Sequence, residues 1–299
     1  MRTRKLGNSD LHISELGFGC MSLPLEKEKA RRIIDLALDA NIQFFDTADL
    51  YDKGQNEQLL GELLHGKRQK VILSSKVGNV WNSDGTSWHW DASKQHITRA
   101  IHATLKRLNT DYLDFYQLHG GTTDDSFEEV TDAFESLKKE GLIRAYGISS
   151  IRPNVLKAAL PIGKFDGVMM QHSLLDRRPE EWFDFIQDNG ASVITRGTVA
   201  KGLLTNDWQT RLARTQNYLT YSPEQLRETL TALSTESDSL LATALHYNLA
   251  HPAVASVIVG ASSPEQLQQN IEAYHALDTL PLERLKQLTK ADQYTAHRS

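Results

Sequence analysis

The sequence predicts an α/β fold, a closed barrel of parallel strands alternating with helices. Three observations carry that prediction. Short apolar runs alternate with longer segments of helical apolar spacing, and the alternation can be counted eight times. Several of the apolar runs stop at a polar or charged side chain, as strands do when they deliver groups to a cleft at one end of a barrel. No linker, low-complexity tract or domain boundary interrupts the 299 residues. That length is ordinary for an α/β barrel, which takes about 250 residues or more, so residues 1–299 are read as one domain.

Gly7-Asn8-Ser9-Asp10 lies between two apolar-bearing segments and predicts an N-terminal β-hairpin. Leu16-Gly17-Phe18-Gly19 is the first barrel strand, and Ala30, Ile33, Ile34, Ala37 and Leu38 follow at helical spacing. Phe44-Phe45-Asp46-Thr47-Ala48-Asp49-Leu50-Tyr51 reads as a buried strand and the loop after it, with a second helix from about Asn56 to Leu64. Strand three, Val71 to Lys76, leads into a polar loop, Val77 to Trp90, that holds Trp81, Trp88 and Trp90. These rings either pack the loop on the rim or wall a substrate pocket; leaving the same rim as Lys76 favours the wall. Ile97, Ala100, Ile101, Thr104, Leu105 and Leu108 define a helix, and Leu113 to His119 is strand four, followed by Gly120-Gly121.

Phe127, Val130, Phe134 and Leu137 mark the next helix, and strand five, Ile143 to Ile148, ends at Ser149-Ser150. Strand six, Gly167 to Met170, ends at Gln171, and strand seven, Ala191 to Thr195, ends at Arg196. Thr205 to Tyr221 shows little regular pattern and predicts a long connection. Ser222-Pro223-Glu224-Gln225 opens a helix as N-cap, Pro at N1 and capping-box Gln, and Ser263-Pro264-Glu265-Gln266 repeats the pattern. Leu240, Leu241, Ala244, Leu245 and Leu249 form the helix between them, Ala255 to Val259 is strand eight, and the tail from Leu280 onward reads as a last charged helix.

Acids exceed bases, 38 against 33, for a net charge of −5. That balance argues against nucleic acid or an anionic membrane as partner. No apolar run approaches the roughly 20 residues of a membrane span, and no apolar stretch follows the charged N-terminus as in a signal peptide. The single cysteine, Cys20, cannot form an internal disulfide, which fits a reducing cytoplasm. It reads as a small packing residue. The histidines show no metal-ligand spacing, so no metal is expected. Monomer and homo-oligomer both stay open.

The chemistry gathers at three strand ends. A phenol is a poor acid at neutral pH, with a free pKa of about 10, and a neighbouring cation favours its ionised form. Tyr51 supplies the phenol, Lys76 the cation, Asp46 a carboxylate to hold the ammonium, and His119 a further polar group. Asp-Thr-Ala with Tyr51, Ser74-Ser75-Lys76 and Tyr116-Gln117-Leu118-His119, in this order, resemble the aldo-keto reductase superfamily. The resemblance extends from Arg4-Lys5-Leu6-Gly7 to Val259-Gly260-Ala261-Ser262. It implies a (β/α)8 TIM barrel with the hairpin plugging its bottom, and reduction of a small-molecule carbonyl by a nicotinamide cofactor. Asp46, Tyr51, Lys76 and His119 match the family's catalytic four.

A Gly-x-Gly-x-x-Gly fingerprint is absent. Barrels bind phosphate at the loops after strands seven and eight, often on a helix N-terminus. Here those loops are Lys201-Gly202-Leu203-Leu204 and Gly260-Ala261-Ser262-Ser263. The resemblance assigns Ser149, Ser150 and Gln171 to the carboxamide of the nicotinamide, and sets Arg196 where many relatives stack an aromatic. It extends the cofactor surface to Gly19, Cys20, Met21 and Asp46, to Gly197, Val199, Lys201, Gly202 and Leu203, and to Gly260, Ser262, Gln266 and Asn270. The resemblance implies NADP(H) over NAD(H), by a smaller margin than in many relatives, because many of them carry Arg at the position of Gln266 or near Ser262, where this chain is neutral. Trp81, Trp88 and Trp90 are expected at the substrate. Two other classes share the pattern: a regulatory barrel that binds the cofactor with little turnover, and a sugar-phosphate isomerase or lyase.

Overall fold

The computed structural model describes residues 1–276 and 281–298. A hairpin comes first, β1 (Thr3–Lys5) paired antiparallel with β2 (His12–Ser14). Eight parallel strands then close into a barrel: β3 (Leu16–Gly19), β4 (Phe44–Asp46), β5 (Ile72–Val77), β8 (Leu113–Leu118), β9 (Ile143–Ser149), β10 (Gly167–Gln171), β11 (Ser192–Arg196) and β12 (Val254–Val259), with β12 pairing back to β3. The remaining strands, β6 (Asn79–Trp81) and β7 (Trp88–Trp90), form an antiparallel hairpin above β5.

Helices α1 (Lys27–Asp39), α2 (Gln55–Leu63), α3 (Lys94–Leu108), α4 (Phe127–Lys139), α5 (Pro153–Ala159) and α6 (Phe183–Asp188) alternate with the barrel strands. Between β11 and β12 the chain makes α7 (Trp208–Leu212), α8 (Pro223–Thr235) and α9 (Leu240–Leu249); α10 (Pro264–His275) and α11 (Leu282–Leu288) follow. The (β/α)8 TIM barrel with its N-terminal hairpin is therefore the fold. Apolar periodicity explains the packing. On α1 the buried residues are Ala30, Ile33, Ile34 and Ala37, the stripe that a period of 3.6 directs onto the strands.

Phe44, Phe115, Ile194 and Ile258 fill the barrel interior, and Leu6 and Ile13 of the hairpin join them from below. Gly7 makes that plug possible. Its φ is +52°, and a Cβ there would lie 2.2 Å from the carbonyl oxygen of Asp166. The Gly7 N–H donates to Ser192 Oγ at 2.8 Å, tying the hairpin to the first residue of β11.

Four local expectations need correction. The stretch from Thr205 to Tyr221 contains α7, whose Trp208 and Leu212 are buried in a second apolar cluster; two apolar residues four apart are too short a signal to read as a helix. The tail helix ends at Leu288, where the Thr289 hydroxyl bonds back to the Leu285 carbonyl at 3.1 Å and the chain becomes extended; Leu280 lies outside the described residues. The tryptophan loop is a β-hairpin rather than an irregular loop. Ser222 and Gln225 form the reciprocal capping box. At α10, however, the Gln266 side chain accepts from Ser262 N–H at 2.8 Å and Ser262 Oγ at 3.0 Å instead of from the N-cap Ser263.

Candidate active site

Parallel register sets the geometry. Gly19 pairs with Asp46, Asp46 with Ser74, and Lys76 with Gln117, so the polar ends of β3, β4, β5 and β8 rise to one rim. Asp46 is buried at the end of β4. Its Oδ2 accepts from Lys76 Nζ at 2.5 Å, and its Oδ1 accepts from Gln117 Nε2 at 3.0 Å and Ser74 Oγ at 3.1 Å. Lys76 is 1% exposed. Its other two donor contacts go to the Thr47 carbonyl at 2.8 Å and to Tyr51 Oη at 3.3 Å. Burial works to lower the Lys76 pKa, but the negative charge of Asp46 and the Tyr51 oxygen outweigh it, and the ammonium's pKa is raised.

Tyr51 opens a short turn in which Asp52, Lys53 and Gly54 all have positive φ. Left-handed backbone at two non-glycine residues is held by its surroundings rather than by its own preference. Asn56, fully buried at the start of α2, ties that helix to the chain after β3 and β4: its Oδ1 accepts from Thr47 Oγ1 at 2.7 Å and its Nδ2 donates to the Cys20 carbonyl at 2.8 Å. His119 follows β8, with its N–H on the Val77 carbonyl at 2.7 Å and its ring edge-on to Tyr51, centroids 6.0 Å apart. Burial, then the charges of Lys76 and Arg196, push its pKa down to about 3. At neutral pH it is an uncharged imidazole able to donate one N–H.

These groups open on a cavity of about 760 Å³, a size usual for small-molecule and cofactor sites. Tyr51, Lys76, His119 and Asp46 line it together. Of the expected cofactor residues, Gly19, Met21, Ser149, Ser150 and Gln171 line it, as do Arg196, Gly197, Lys201 and Gly260. The Arg196 guanidinium has no ion pair or hydrogen bond among the described residues.

Other expected residues lie elsewhere. The Cys20 side chain is fully buried, its carbonyl already accepts from Asn56, and burial raises its thiol pKa. Leu203 is buried in the second apolar cluster and Val199 packs against the main core; Gly202 has φ +89° in the same loop. Ser262 precedes α10, and Gln266 and Asn270 lie on it; none of the three lines this cavity. Trp90 is the one ring of the hairpin that lines the cavity. Asp125 holds its indole N–H at 2.9 Å, and glycines at 78 and 120 let it lie flat against the chain. Trp81 instead donates to the Leu50 carbonyl at 3.2 Å, and Trp88 packs edge-on against Trp81, 54% exposed.

Sequence reading missed Gln117, the second donor to Asp46, although it stands two residues before His119. It also missed Ile151 and Arg152 at the cavity wall, where nothing in the local pattern distinguishes a rim residue from a solvated one. Among the described residues no group of three or more His, Cys, Asp or Glu could hold a metal, and no helix is long and apolar enough to cross a membrane.

Comparison with known proteins decides the family. Residues 15–293 match the Aldo/keto reductase family. The chain belongs to that family. This aldo/keto reductase is 49% identical over 306 residues to the uncharacterized oxidoreductase YqkF of Bacillus subtilis (strain 168), covering all of both chains. The holo form of the aldo-keto reductase AKR11C1 from Bacillus halodurans superimposes with a TM-score of 0.95 at 48% identity, again over all of both chains. An NADH-specific methylglyoxal reductase of Escherichia coli (strain K12) is 27% identical over 305 residues, 91% of this chain and 93% of its own. Membership makes the protein an oxidoreductase of carbonyl compounds that works with a nicotinamide cofactor.

Proposed function

We propose that this aldo/keto reductase reduces an aldehyde or ketone to the alcohol, with Tyr51 as general acid and NADP(H) preferred to NAD(H) by a small margin. One observation supports this above all: the buried Lys76 ammonium, fixed by Asp46, has its remaining donor on the Tyr51 oxygen at the cavity wall. As the phenol gives up its proton, that ammonium stabilises the oxygen left behind. Gln117 and Ser74 keep Asp46 in place. The neutral His119 donates to the carbonyl oxygen and orients it without competing for the proton.

The residues fit a nicotinamide. A reduced nicotinamide, when bound, supplies the hydride. Ser149 and Ser150 offer hydroxyls; the Ser150 oxygen accepts from Arg152 N–H at 3.2 Å and keeps its own proton to donate. Arg196 is an unpaired planar cation that can lie against a ring. Gly260 keeps the rim open, since a Cβ there would meet Ser22 Oγ at 2.8 Å. Lys201 adds positive charge at the cavity wall, on a loop with left-handed backbone at Ala200, Lys201 and Gly202.

The test is Tyr51→Phe. Reduction of a panel of aldehydes, ketones and dicarbonyls should fall by about 10²-fold or more, while the cofactor dissociation constant changes less than about twofold. Turnover near wild type would remove Tyr51 from the role. A wild-type protein that binds the cofactor but turns over no carbonyl would favour a regulatory barrel instead.

A further inference from the structure

Gln171 has a built environment beyond its place at the cavity wall. Five residues on, the chain reverses tightly: Ser173 N–H donates to the Asp176 carbonyl at 3.1 Å, and Asp176 N–H returns the bond at 3.0 Å. Leu174 and Leu175 at the tip are buried, which anchors the reversal. Asp176 is 1% exposed. Its Oδ1 accepts from Arg178 Nε at 2.7 Å and its Oδ2 from Arg178 Nη2 at 2.8 Å, the two-pronged pairing of guanidinium and carboxylate. Arg178 in turn lies over the ring of buried Tyr294 at 4.8 Å. The same Oδ2 accepts from Gln171 Nε2 at 2.9 Å. Gly197 lies against the Gln171 stem, where a Cβ would come within 3.0 Å of Cγ.

An ionised carboxylate only accepts hydrogen bonds. If the Gln171 amide flipped, two oxygens would face each other at hydrogen-bond distance. The amide therefore has one orientation: NH₂ toward Asp176, Oε1 toward the cavity. No described residue donates to that oxygen.

We propose that Asp176, braced by Arg178, is a positioning residue that locks Gln171 with its oxygen to the cavity, so that the site selects nicotinamide through the NH₂ of its carboxamide. The proposal rests on the nicotinamide reading of the cavity. It goes further by giving the carboxamide a direction: NH₂ to Gln171, carbonyl to the hydroxyls of Ser149 and Ser150.

The experiment compares binding of NADP⁺ and its 3-acetylpyridine analogue, in which a methyl group replaces the carboxamide NH₂, by quenching of intrinsic tryptophan fluorescence. Wild type should bind NADP⁺ about tenfold more tightly than the analogue, the effect of one buried acceptor left unmet. Two variants remove the lock: Asp176→Ala, and the pair Asp176→Leu with Arg178→Met, which leaves no unpaired charge. Whichever folds with a wild-type melting transition is read. In it the preference should shrink to about twofold or less, chiefly by weaker NADP⁺ binding. In a Gln171→Met background the same changes should have no further effect. A preference that survives in the folded variant, or equal weakening of both ligands, overturns the lock. A wild type that binds neither dinucleotide overturns the cofactor reading itself.

Discussion

The proton-donating end of the cavity and the start of α10 are built differently. At the first, Lys76 is 1% exposed, and its contacts are Asp46, Thr47 and Tyr51. At the second, exposed side chains bond one another: the Ser262 N–H and hydroxyl both go to Gln266, and the Ser263 hydroxyl caps Gln266 N–H. Burial makes every contact at the first end costly to lose. Exposure makes those at the second cheap to rearrange. On the proposed function, chemistry in this barrel is fixed by its interior, and choice of dinucleotide is left to a surface that substitution can retune.

The strongest way to break that contrast is Lys76→Met. Turnover should fall by about 10²-fold or more. Asp46, left buried without its cation, should destabilise the fold by about 3–5 kcal/mol. Adding Asp46→Asn should recover most of the stability and none of the turnover. Denaturation midpoints and aldehyde reduction measured on both proteins separate the two effects. If stability and turnover recover together, Lys76 is structural and the contrast fails.

A second probe concerns the tryptophan hairpin, which has one ring on each side of the divide. Trp90 lines the cavity and is pinned by Asp125, whereas Trp88 is exposed. Trp90→Ala should change the ratio of kcat/KM between a bulky and a small aldehyde by about tenfold, and Trp88→Ala by less than about twofold. Equal effects from both would return the hairpin to a packing role.

These tests also mark what the sequence could say. The barrel was legible because each strand is a short apolar run and each helix repeats at 3.6 residues. The four groups at Asp46, Tyr51, Lys76 and His119 were legible because they end or follow strands, where a polar side chain breaks an apolar run. Trp90 could not be told from Trp81 and Trp88, since strand alternation and pairing put all three on one face of the hairpin, and what seats Trp90 at the cavity is Asp125 and Gly120, remote in sequence. Asp176 and Arg178 were silent for a similar reason. They act on Gln171 through a reversal that brings residues five apart into contact, and no periodic pattern encodes it.

The rim is probed by Gln266→Arg. The change would free the Ser262 N–H and hydroxyl and add a guanidinium beside the N-terminus of α10. A 2′-phosphate is best held by such a fork. NADPH affinity should rise about fivefold, reduced from the full value of a charge-assisted bond by solvent, with NADH nearly unchanged. Titration of both cofactors against both proteins decides it. Equal gains for the two, or a wild type that prefers NADH, would place the phosphate elsewhere.

The smallest expected effect sharpens the contrast from inside, because the buried end is not uniformly satisfied. Asp49 stands three residues after Asp46, and its Oδ1 is buried without a hydrogen-bond partner. Burial, and then the charge of Glu57, raise its pKa to about 8, with Arg107 and Lys76 only partly opposing. The sign of the consequence follows from linkage. Between about pH 4 and about pH 8 the unfolded chain releases the Asp49 proton while the folded chain keeps it, so this residue lowers stability progressively as pH rises through that window. Asp49→Asn removes the titration and keeps the shape. Its melting temperature should match wild type near pH 4 and exceed it by several degrees or more near pH 8. Other titrating groups, such as Asp166 with its pKa raised to about 6 by burial, cancel in the difference between the two proteins. A gain that is the same at both pH values would mean that Asp49 is ionised in the folded protein. The orphaned oxygen would then be a packing defect, and the buried end would hold charge more freely than its wiring implies.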